Sequence, residues 1–305
     1  MSTVETPAFE VLGPVRNRVG ESPLWSVAEQ ALWWVDIEGR TLYRHDAVSG
    51  TIAQWPTVQR IGCIALHASG GLLAAMETGL FHLQPKAGAE LSARTVALAH
   101  HARPDMRFND GRCDRHGRFW VSSMVLDMSL AVPAGALYRF DAQGLSAPIV
   151  SELVVGNGLA FSPRGDTLYL SDSHPTVQRI WQFDLHDDGS LSNRREFVDM
   201  KPHPGRPDGA AVDADGCYWI CGNDAGRLLR FTPDGQLDRT LALPFSKPAM
   251  CAFGGASLDT LFVTSIIPAK PADGFDATLD GAVLALRPGV QGLPELPCIA
   301  PLVPT

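Results

Sequence analysis

The sequence has no basic excess, no apolar run long enough to span a bilayer and no obvious leader. Its 25 Lys and Arg are outnumbered by 33 Asp and Glu, which gives a net charge of −8. Nucleic-acid binders neutralise phosphates with a basic excess, so a nucleic-acid partner is not expected. The missing apolar run argues against a membrane partner. The start, MSTVETPAFE, lacks the basic and apolar regions of a secretory signal, so we expect a cytoplasmic protein.

Common catalytic and cofactor motifs are also missing. There is no G-x-G-x-x-G or Walker loop, so NAD or ATP use is unsupported. The sequence contains no G-x-S-x-G motif and no recognisable Ser–His pair, which disfavours a serine nucleophile. The six cysteines form no C-x-x-C pair, and most lie in apolar runs such as IGCIAL and AMCAFG. We therefore expect buried thiols in a reducing compartment instead of a cysteine zinc site.

Glycine and proline are plentiful, with 29 and 23 residues, which is typical of many short strands joined by turns. Six strand-like segments recur every 40 to 50 residues, and each is followed by further strand-like runs. Six units of about four strands predict an all-β fold, a six-bladed β-propeller with four-stranded blades around a central channel. The segments align on one mostly aromatic column, which we expect to pack between blades: Trp33, Leu73, Trp120, Tyr169, Trp219 and Phe262.

We expect residues 1–305 to form one such domain. A propeller usually closes by lending a terminal strand to the blade at the other end, and the last unit has no clear fourth run. AFEVLG near the N-terminus is the predicted closing strand, and PCIAPLV near the C-terminus is the alternative. A β-solenoid is the competing fold, but it needs a capping unit at each end and none is visible.

The sharpest signal lies at the start of the innermost strand of each unit, 11 to 12 residues before the aromatic column. Equivalent positions in a propeller form a ring around its axis. Four of the six carry carboxylate or amide oxygens, which suit Ca²⁺, Mg²⁺ or Mn²⁺, with Zn²⁺ or Fe²⁺ also possible. The alternative is that NDG, NG and PDG are ordinary turns. These ring positions are Glu21, Gly62, Asn109, Asn157, Asp208 and Met250.

Further polar residues are predicted at the same mouth of the channel. In the repeat alignment, Asp36 and Asp172 occupy equivalent positions at the ends of second strands. The alternative for Asp172 is that it caps a turn. Arg107 lies two residues before Asn109, so both side chains are expected on one side of an extended segment. Two long connections, VLDMSLAVPA and IPAKPADGFDATLD, are expected to cover the site as lids.

Four histidines lie near this mouth. Surface or hydrogen-bonding roles are more typical for them because no metal-ligand spacing occurs, and whether they contact substrate stays open. They are His100, His101, His174 and His203.

The motifs GESPLW, RFNDGR, GNGLAFSP and RPDGAAVDADGCYW resemble those of the senescence-marker-protein, gluconolactonase and luciferin-regenerating-enzyme family. The resemblance runs from Glu21 to Ser265. It implies a six-bladed propeller with one divalent metal in the central channel, held by Glu21, Asn157 and Asp208. It also implies that Arg107 and Asn109 face the substrate, with Asn109 near the metal.

The activity that this resemblance implies is the opening of a sugar (aldono-)lactone ring to the aldonic acid. The metal would polarise the carbonyl and Asp208 would act as general base. Some members carry an acidic pair after the second strand of the third blade; here MVLDMS offers only Asp127, a candidate substrate-binding residue that leaves the sugar open. The alternatives are a non-catalytic metal-binding regulatory propeller and a hydrolase of a non-sugar lactone or ester. The oligomeric state is not predicted.

Overall fold

A computed structural model describes residues 4–302, and it confirms the predicted all-β six-bladed propeller. Its strands form six sheets of four or five strands each. The innermost strand of each blade packs against that of the next, and the innermost strands of the sixth and first blades also pack together. The blades therefore close into a ring around a central channel.

The strand bounds follow the predicted repeat. Two short strands, β1 (Val4–Glu5) and β2 (Phe9–Val11), precede the first blade. The first blade is β3 (Gly20–Ser26), β4 (Ala31–Asp36), β5 (Thr41–Asp46) and β6 (Ile52–Pro56). The second is β7 (Ile61–Leu66), β8 (Leu72–Met76), β9 (Gly79–Pro85) and β10 (Leu91–Leu98). The third is β11 (Met106–Cys113), β12 (Phe119–Val125) and β13 (Gly135–Asp141), with β14 (Gly144–Leu145) and β15 (Val150–Leu153) both paired to β13.

The remaining blades have the same order. The fourth is β16 (Gly156–Phe161), β17 (Thr167–Asp172), β18 (Arg179–Leu185) and β19 (Leu191–Asp199). The fifth is β20 (Arg206–Val212), β21 (Tyr218–Asn223), β22 (Arg227–Phe231) and β23 (Leu237–Ala242). The sixth has β24 (Pro248–Gly254), β25 (Thr260–Ser265) and β26 (Leu284–Leu286). Short 3₁₀ turns occur at Ala87–Ala89, Met128–Leu130 and Ala277–Leu279, and no helix in the described range is long and apolar enough to cross a membrane.

The outermost strand of the sixth blade comes from the N-terminus. β2 pairs antiparallel with β26, with Phe9 opposite Leu286, and β1 adds a parallel fifth strand to β23. The C-terminal run takes a different path: Cys298 forms a single parallel bridge to His67 in the second blade. The last residue of that run, Val303, lies outside the described residues.

The core is divided among the six blade interfaces. Six buried apolar clusters each draw residues mainly from two neighbouring blades. The aromatic column packs there, for example where Trp25 stacks on Phe262 at 5.5 Å between the first and sixth blades. Second strands such as β4 are buried along their whole length, because both faces of the blade are covered by neighbours.

Buried aspartates anchor the turns that follow the innermost strands. Asp213 Oδ2 accepts from Trp219 Nε1 at 2.8 Å and from Arg230 Nε at 2.8 Å. In the third blade, Asp114 Oδ2 accepts in the same way from Trp120 Nε1 and from Arg118 Nε. These carboxylates tie the second strand to the turn at the base of the blade.

The C-terminal segment crosses this base. The Cys298 amide donates to Leu66 O at 2.7 Å, and the Ile299 amide donates to Gly117 O at 3.0 Å. Glu295 forms an ion pair with Arg112, and both side chains are largely buried. The segment therefore covers the end of the channel opposite the ring positions.

Candidate functional site

The predicted ring positions all lie within the first four residues of an innermost strand, and each strand has an irregularity in register at this point. In β3 the shift falls between Glu21 and Leu24, and in β20 it falls between Pro207 and Ala210. All six innermost strands share this feature. A bulge turns a side chain out of the regular pleat. The repeated bulge therefore turns the ring position of each blade toward the axis.

Glycine beside these positions permits close approach of neighbouring blades. A Cβ placed on Gly209 would lie 2.4 Å from Met250 Cβ, and one on Gly62 would lie 2.3 Å from Phe108 O. Larger residues at either place would push neighbouring innermost strands apart. This explains why glycine accompanies the polar ring positions.

A chain of hydrogen bonds joins the third and fourth blades at the site. Arg107 Nη1 donates to Asn109 Oδ1 at 2.6 Å, and Asn109 Nδ2 donates to Asn157 Oδ1 at 3.0 Å. Asn157 Nδ2 in turn donates to Ser173 Oγ at 2.9 Å. Asn109 and Asn157 are both buried. This series of hydrogen bonds fixes the orientation of both amide groups, and therefore the direction in which their oxygen atoms point.

Two carboxylates complete the site from the first and fifth blades. Asp208 Oδ2 accepts from Asn223 Nδ2 at 2.5 Å, and Glu21 Oε2 accepts from the Ser22 amide at 3.0 Å. Each residue is 9% exposed. Neither has a Lys or Arg partner at salt-bridge distance within residues 4–302. The two carboxylates are therefore buried without a direct counter-ion.

Electrostatics at these carboxylates favour a cation. Burial raises the pKa of Glu21 well above its usual range, and the charges of Asp208 and Asp110 raise it further. Burial also raises the pKa of Asp208 to about 7, against the opposing influence of Arg206 and Asn223. Both raised pKa values indicate that the negative charges at this site are poorly solvated. A bound cation would relieve this condition.

The donor set fits a divalent ion that prefers oxygen. No group of three His, Cys, Asp or Glu side chains with metal-binding geometry occurs in residues 4–302, since the ring offers two carboxylates and completes its set with amides. Glu21, Asp208 and Asn157 carry oxygen atoms of the kind that Ca²⁺ or Mg²⁺ accepts as ligands, and such ions retain water at other positions.

Asp36 and Asp172 lie at the mouth and hold its backbone. Asp36 accepts from the amides of Arg18, Val19 and Gly39 at 2.8 to 3.0 Å. Asp172 accepts from the amides of Val154, Val155 and His174 at 2.7 to 3.1 Å. Their oxygens are occupied by backbone amides of the loop that enters the innermost strand and of the loop that follows the second strand. The geometry favours the turn-capping alternative for Asp172 and a matching role for Asp36.

Asp127 is not brought into the ring cluster. It is exposed on the connection between β12 and β13 and caps the short turn at Met128–Leu130, accepting from the Ser129 amide at 3.0 Å and the Ser129 hydroxyl at 2.6 Å. The long connections predicted as lids are residues 126–134 and 266–283, which follow the second strands β12 and β25. Asp127 therefore lies on a connection that the sequence predicts to be a lid.

The histidines near the mouth have mostly structural contacts. His174 Nε2 hydrogen-bonds to Met128 O at 3.2 Å, which links the third-blade lid to the fourth blade. His101 hydrogen-bonds to Glu77 O at 3.1 Å and packs against Phe108. His203 packs edge-on against Phe231, and His100 is exposed.

Sequence reasoning missed three residues of the site. Asn223 and Ser173 orient Asp208 and Asn157 through the hydrogen bonds above. Asp110 is buried and accepts from the Leu159 amide at 2.8 Å with Oδ2, and its Oδ1 has no hydrogen-bond partner among residues 4–302. Asn223 and Ser173 lie at or just after the end of a second strand, so extending the Asp36 column to every blade would have pointed toward them.

The chain is similar in sequence to known proteins over most of its length. The family described as "SMP-30/Gluconolactonase/LRE-like region" matches residues 19–267. A 6-deoxy-6-sulfogluconolactonase from Pseudomonas putida is 38% identical over 283 residues, covering 91% of this chain and 94% of the relative. An L-arabinolactonase from Azospirillum brasilense is 32% identical over 259 residues, covering 84% and 83%.

A solved structure extends the likeness to three dimensions. A calcium-binding protein, regucalcin from Agrobacterium tumefaciens, superposes with a TM-score of 0.88 at 26% identity, covering 98% of this chain and 99% of the other. These relatives therefore match most of the chain, from 84% to 98% of its length.

Proposed function

Since the chain belongs to the SMP-30/gluconolactonase/LRE-like family, we propose that it is a metal-dependent lactonase that opens a sugar lactone to the corresponding aldonic acid. The observation that carries this proposal is the convergence of Glu21, Asn157 and Asp208 beside the Arg107–Asn109 pair at one mouth of the channel. The names of the two lactonase relatives support the reaction class.

Glu21, Asn157 and Asp208 would hold the divalent ion. When bound, the ion would supply positive charge that polarises the lactone carbonyl and stabilises the oxyanion. The relatives named regucalcin support calcium as one candidate, with Mg²⁺, Mn²⁺, Zn²⁺ and Fe²⁺ as the others. The fixed amide of Asn157 and the Asn223 contact to Asp208 keep the ligand oxygens in place before binding.

Asp208 is the proposed general base. Asn223 occupies its Oδ2, which leaves Oδ1 as the oxygen that takes a proton from water. The water oxygen bonds to the carbonyl carbon, the ring carbon–oxygen bond breaks, and the proton passes to the departing ring oxygen. The products are one carboxylic acid and one hydroxyl, with no other reactant consumed.

Arg107 and Asn109 would position the substrate. Arg107 uses Nη1 on Phe108 O and Asn109 Oδ1, so its other N–H groups can donate to hydroxyl or carbonyl oxygens. The lids over residues 126–134 and 266–283 would limit the access of bulk water. Asp127, on the first of these lids, is proposed to contact substrate only when that lid covers the site.

The experiment that tests this function measures acid release on a panel of aldonolactones with a pH indicator. Glucono-δ-lactone, arabinono-γ-lactone and a 6-sulfonated gluconolactone form the panel, with and without EDTA and with each candidate metal added back. Metal-dependent release on any member supports the proposal. Release that EDTA leaves untouched would contradict the metal role.

A non-catalytic calcium-binding role is the second candidate, because a similar structure carries that description. Retained metal affinity with no release on any lactone would support it. Release from simple esters or non-sugar lactones alone would instead support a different hydrolase.

The six cysteines are free and buried, which supports a reducing compartment such as the cytoplasm.

A further inference from the structure

The connection between β25 and β26 carries a spacing of oxygen side chains that the channel site does not use. Residues 276–281 read DATLDG, with Asp276, Thr278 and Asp280 at alternate positions and Gly281 directly after them. Calcium loops of the D-x-[DN]-x-[DN]-G type place oxygen ligands at the same three positions, and the glycine allows a sharp turn. Here a threonine hydroxyl takes the middle position.

The backbone folds these residues into one compact turn. The Leu279 amide donates to Asp276 O at 3.0 Å. Gly281 has a φ of +77°, a left-handed conformation that glycine adopts without strain. Asp276 and Asp280 flank the 3₁₀ turn Ala277–Leu279 at its two ends. The two carboxylates therefore belong to a single turn of the chain.

Asp276 and Thr278 form the exposed part of this turn. Asp276 Oδ1 accepts from the Thr278 amide at 3.0 Å and from the Thr278 hydroxyl at 2.6 Å. These contacts orient the carboxylate and the hydroxyl toward each other. Because this part of the turn faces solvent, an ion can reach it without a rearrangement of the blade.

Asp280 is the buried member of the set. The residue is 8% exposed, and its Oδ1 atom is enclosed without a hydrogen-bond partner in the described part of the chain. Neither Asp280 nor Asp276 has a Lys or Arg at salt-bridge distance within residues 4–302. Burial raises the pKa of Asp280, and the charge of Asp276 raises it further. A buried carboxylate oxygen with neither a donor nor a counter-ion is costly, so the arrangement favours a bound cation.

The charged residues around the turn do not neutralise these carboxylates. Arg16 contacts the turn, but its Nε donates to Thr278 O at 2.9 Å and its Nη1 donates to Val15 O at 2.9 Å. Lys270 and Asp273 lie on the same connection, and both are exposed. None of these three charged residues forms an ion pair in the range that the structure describes. The negative charge of the turn is therefore left for a ligand to compensate.

The turn lies where the propeller closes. The Gly281 carbonyl accepts from the Asn17 amide at 2.7 Å and from Asn17 Nδ2 at 2.8 Å. The Asp276 amide donates to Pro244 O at 2.8 Å. Asn17 precedes the first blade and Pro244 precedes the sixth, and the next strand, β26, pairs with the closing strand β2. An ion bound in the turn would therefore stabilise the junction between the first and last blades.

We propose that Asp276, Thr278 and Asp280 form a second divalent-cation site, built from different residues than the channel site, and that it takes Ca²⁺. Two carboxylates, a hydroxyl and water are hard oxygen ligands, and Ca²⁺ tolerates irregular coordination that Mg²⁺ does not. The twelfth position of the spacing is Arg287, where high-affinity calcium loops carry a bidentate Glu. The expected Kd is therefore on the order of 10⁻⁴ to 10⁻³ M, the weak end of calcium sites.

The test measures Ca²⁺ binding by titration calorimetry in the full chain carrying Asp208→Ala, the change that should weaken the channel site. One Ca²⁺ per chain should still bind in the Kd range above. Adding Asp280→Asn should weaken this binding about tenfold or more, because it removes the buried charged ligand. Adding Asp273→Asn instead, which removes the same charge from an exposed position of the connection, should leave it unchanged.

Two outcomes of the titration would overturn the proposal. The first is the absence of any Ca²⁺ binding in the chain that carries Asp208→Ala. The second is residual binding that Asp280→Asn and Asp273→Asn weaken equally, or that neither weakens, because such binding would be non-specific or would lie elsewhere.

Hydrogen exchange on the wild-type chain provides a test that does not depend on Asp208→Ala. At about 5 mM Ca²⁺, above the expected Kd, exchange of the amides of residues 277–283 should slow several-fold, because the ion stabilises the turn against local opening. In Asp280→Asn, Ca²⁺ should leave exchange of this segment unchanged. Protection confined to the innermost strands in the wild type would refute the second site. Neither measurement uses a lactone, so both stand whether or not the proposed lactonase function holds.

Discussion

Arg107 Nη1 donates to Asn109 Oδ1 at 2.6 Å, so an arginine of the third blade is joined to an amide of the ring positions. Asn109 passes the contact to Asn157 across the boundary between the third and fourth blades. A substrate group bound by Arg107 is thereby coupled, through two hydrogen bonds, to a proposed metal ligand. The residues proposed to position the substrate and to bind the metal therefore share one hydrogen-bond network.

Arg107→Gln is predicted to lower kcat/KM by about 10- to 100-fold on whichever lactone proves active, because the substrate loses a charge-assisted hydrogen bond from the Arg107 guanidinium. Steady-state kinetics on the lactone panel measure this. Arg164→Gln, an 85% exposed arginine of the fourth blade, should behave as wild type. A loss in Arg107→Gln that matches the control would remove Arg107 from the substrate site.

Asp208→Ala is predicted to abolish activity and to weaken metal binding, since it removes both a ligand and the proposed base. Titration calorimetry with Ca²⁺ or Mn²⁺ and the lactone assay measure the two effects, and circular dichroism checks the fold. Asp187→Asn, at a fully exposed acid, is the control for a change of charge. Full turnover by Asp208→Ala would refute the assignment.

Asn223→Leu tests the support of Asp208. The amide that donates to Asp208 Oδ2 at 2.5 Å would be lost with little change in volume, so metal affinity should fall by about 10-fold or more, as is typical for groups that orient a ligand. Excess metal should restore part of the activity. Unchanged affinity would show that Asp208 does not depend on this contact.

Asp213→Ala is predicted to lower the free energy of unfolding by about 3 kcal/mol, because it leaves Arg230 and the Trp219 indole without a shared buried acceptor. Urea denaturation measures the change. The control is Asp215→Ala, which removes a 68% exposed partner of the same arginine and should cost well under 1 kcal/mol. Similar losses in both variants would contradict the anchoring role of Asp213.

Much of the fold was readable from the sequence because a propeller repeats its pattern. The aromatic column lies within the second strands β4, β8, β12, β17, β21 and β25, as expected. The ring positions were identified from the same alignment, because a position at a given distance before the aromatic column is equivalent in all six blades. The missing fourth run of the last unit is explained by β2, which comes from the other end of the chain.

The sequence could not show how side chains divide their hydrogen bonds. Asp36 and Asp172 look like site acids by position, yet backbone amides occupy their oxygens. Asp127 looks like the one acid available to the substrate, yet it caps an exposed turn. These outcomes depend on which donors the folded loops bring within reach, and those donors are distant in sequence.

The sequence by itself determined the repeat, the identity of the ring residues and the excess of acid over base, because each is a property of residue order. Only the tertiary structure decided that Arg60 and Arg206 are paired with carboxylates of the surrounding loops, whereas Arg107 donates to the amide oxygen of Asn109. Pairing of charges requires distances between blades, and closure of the ring sets those distances.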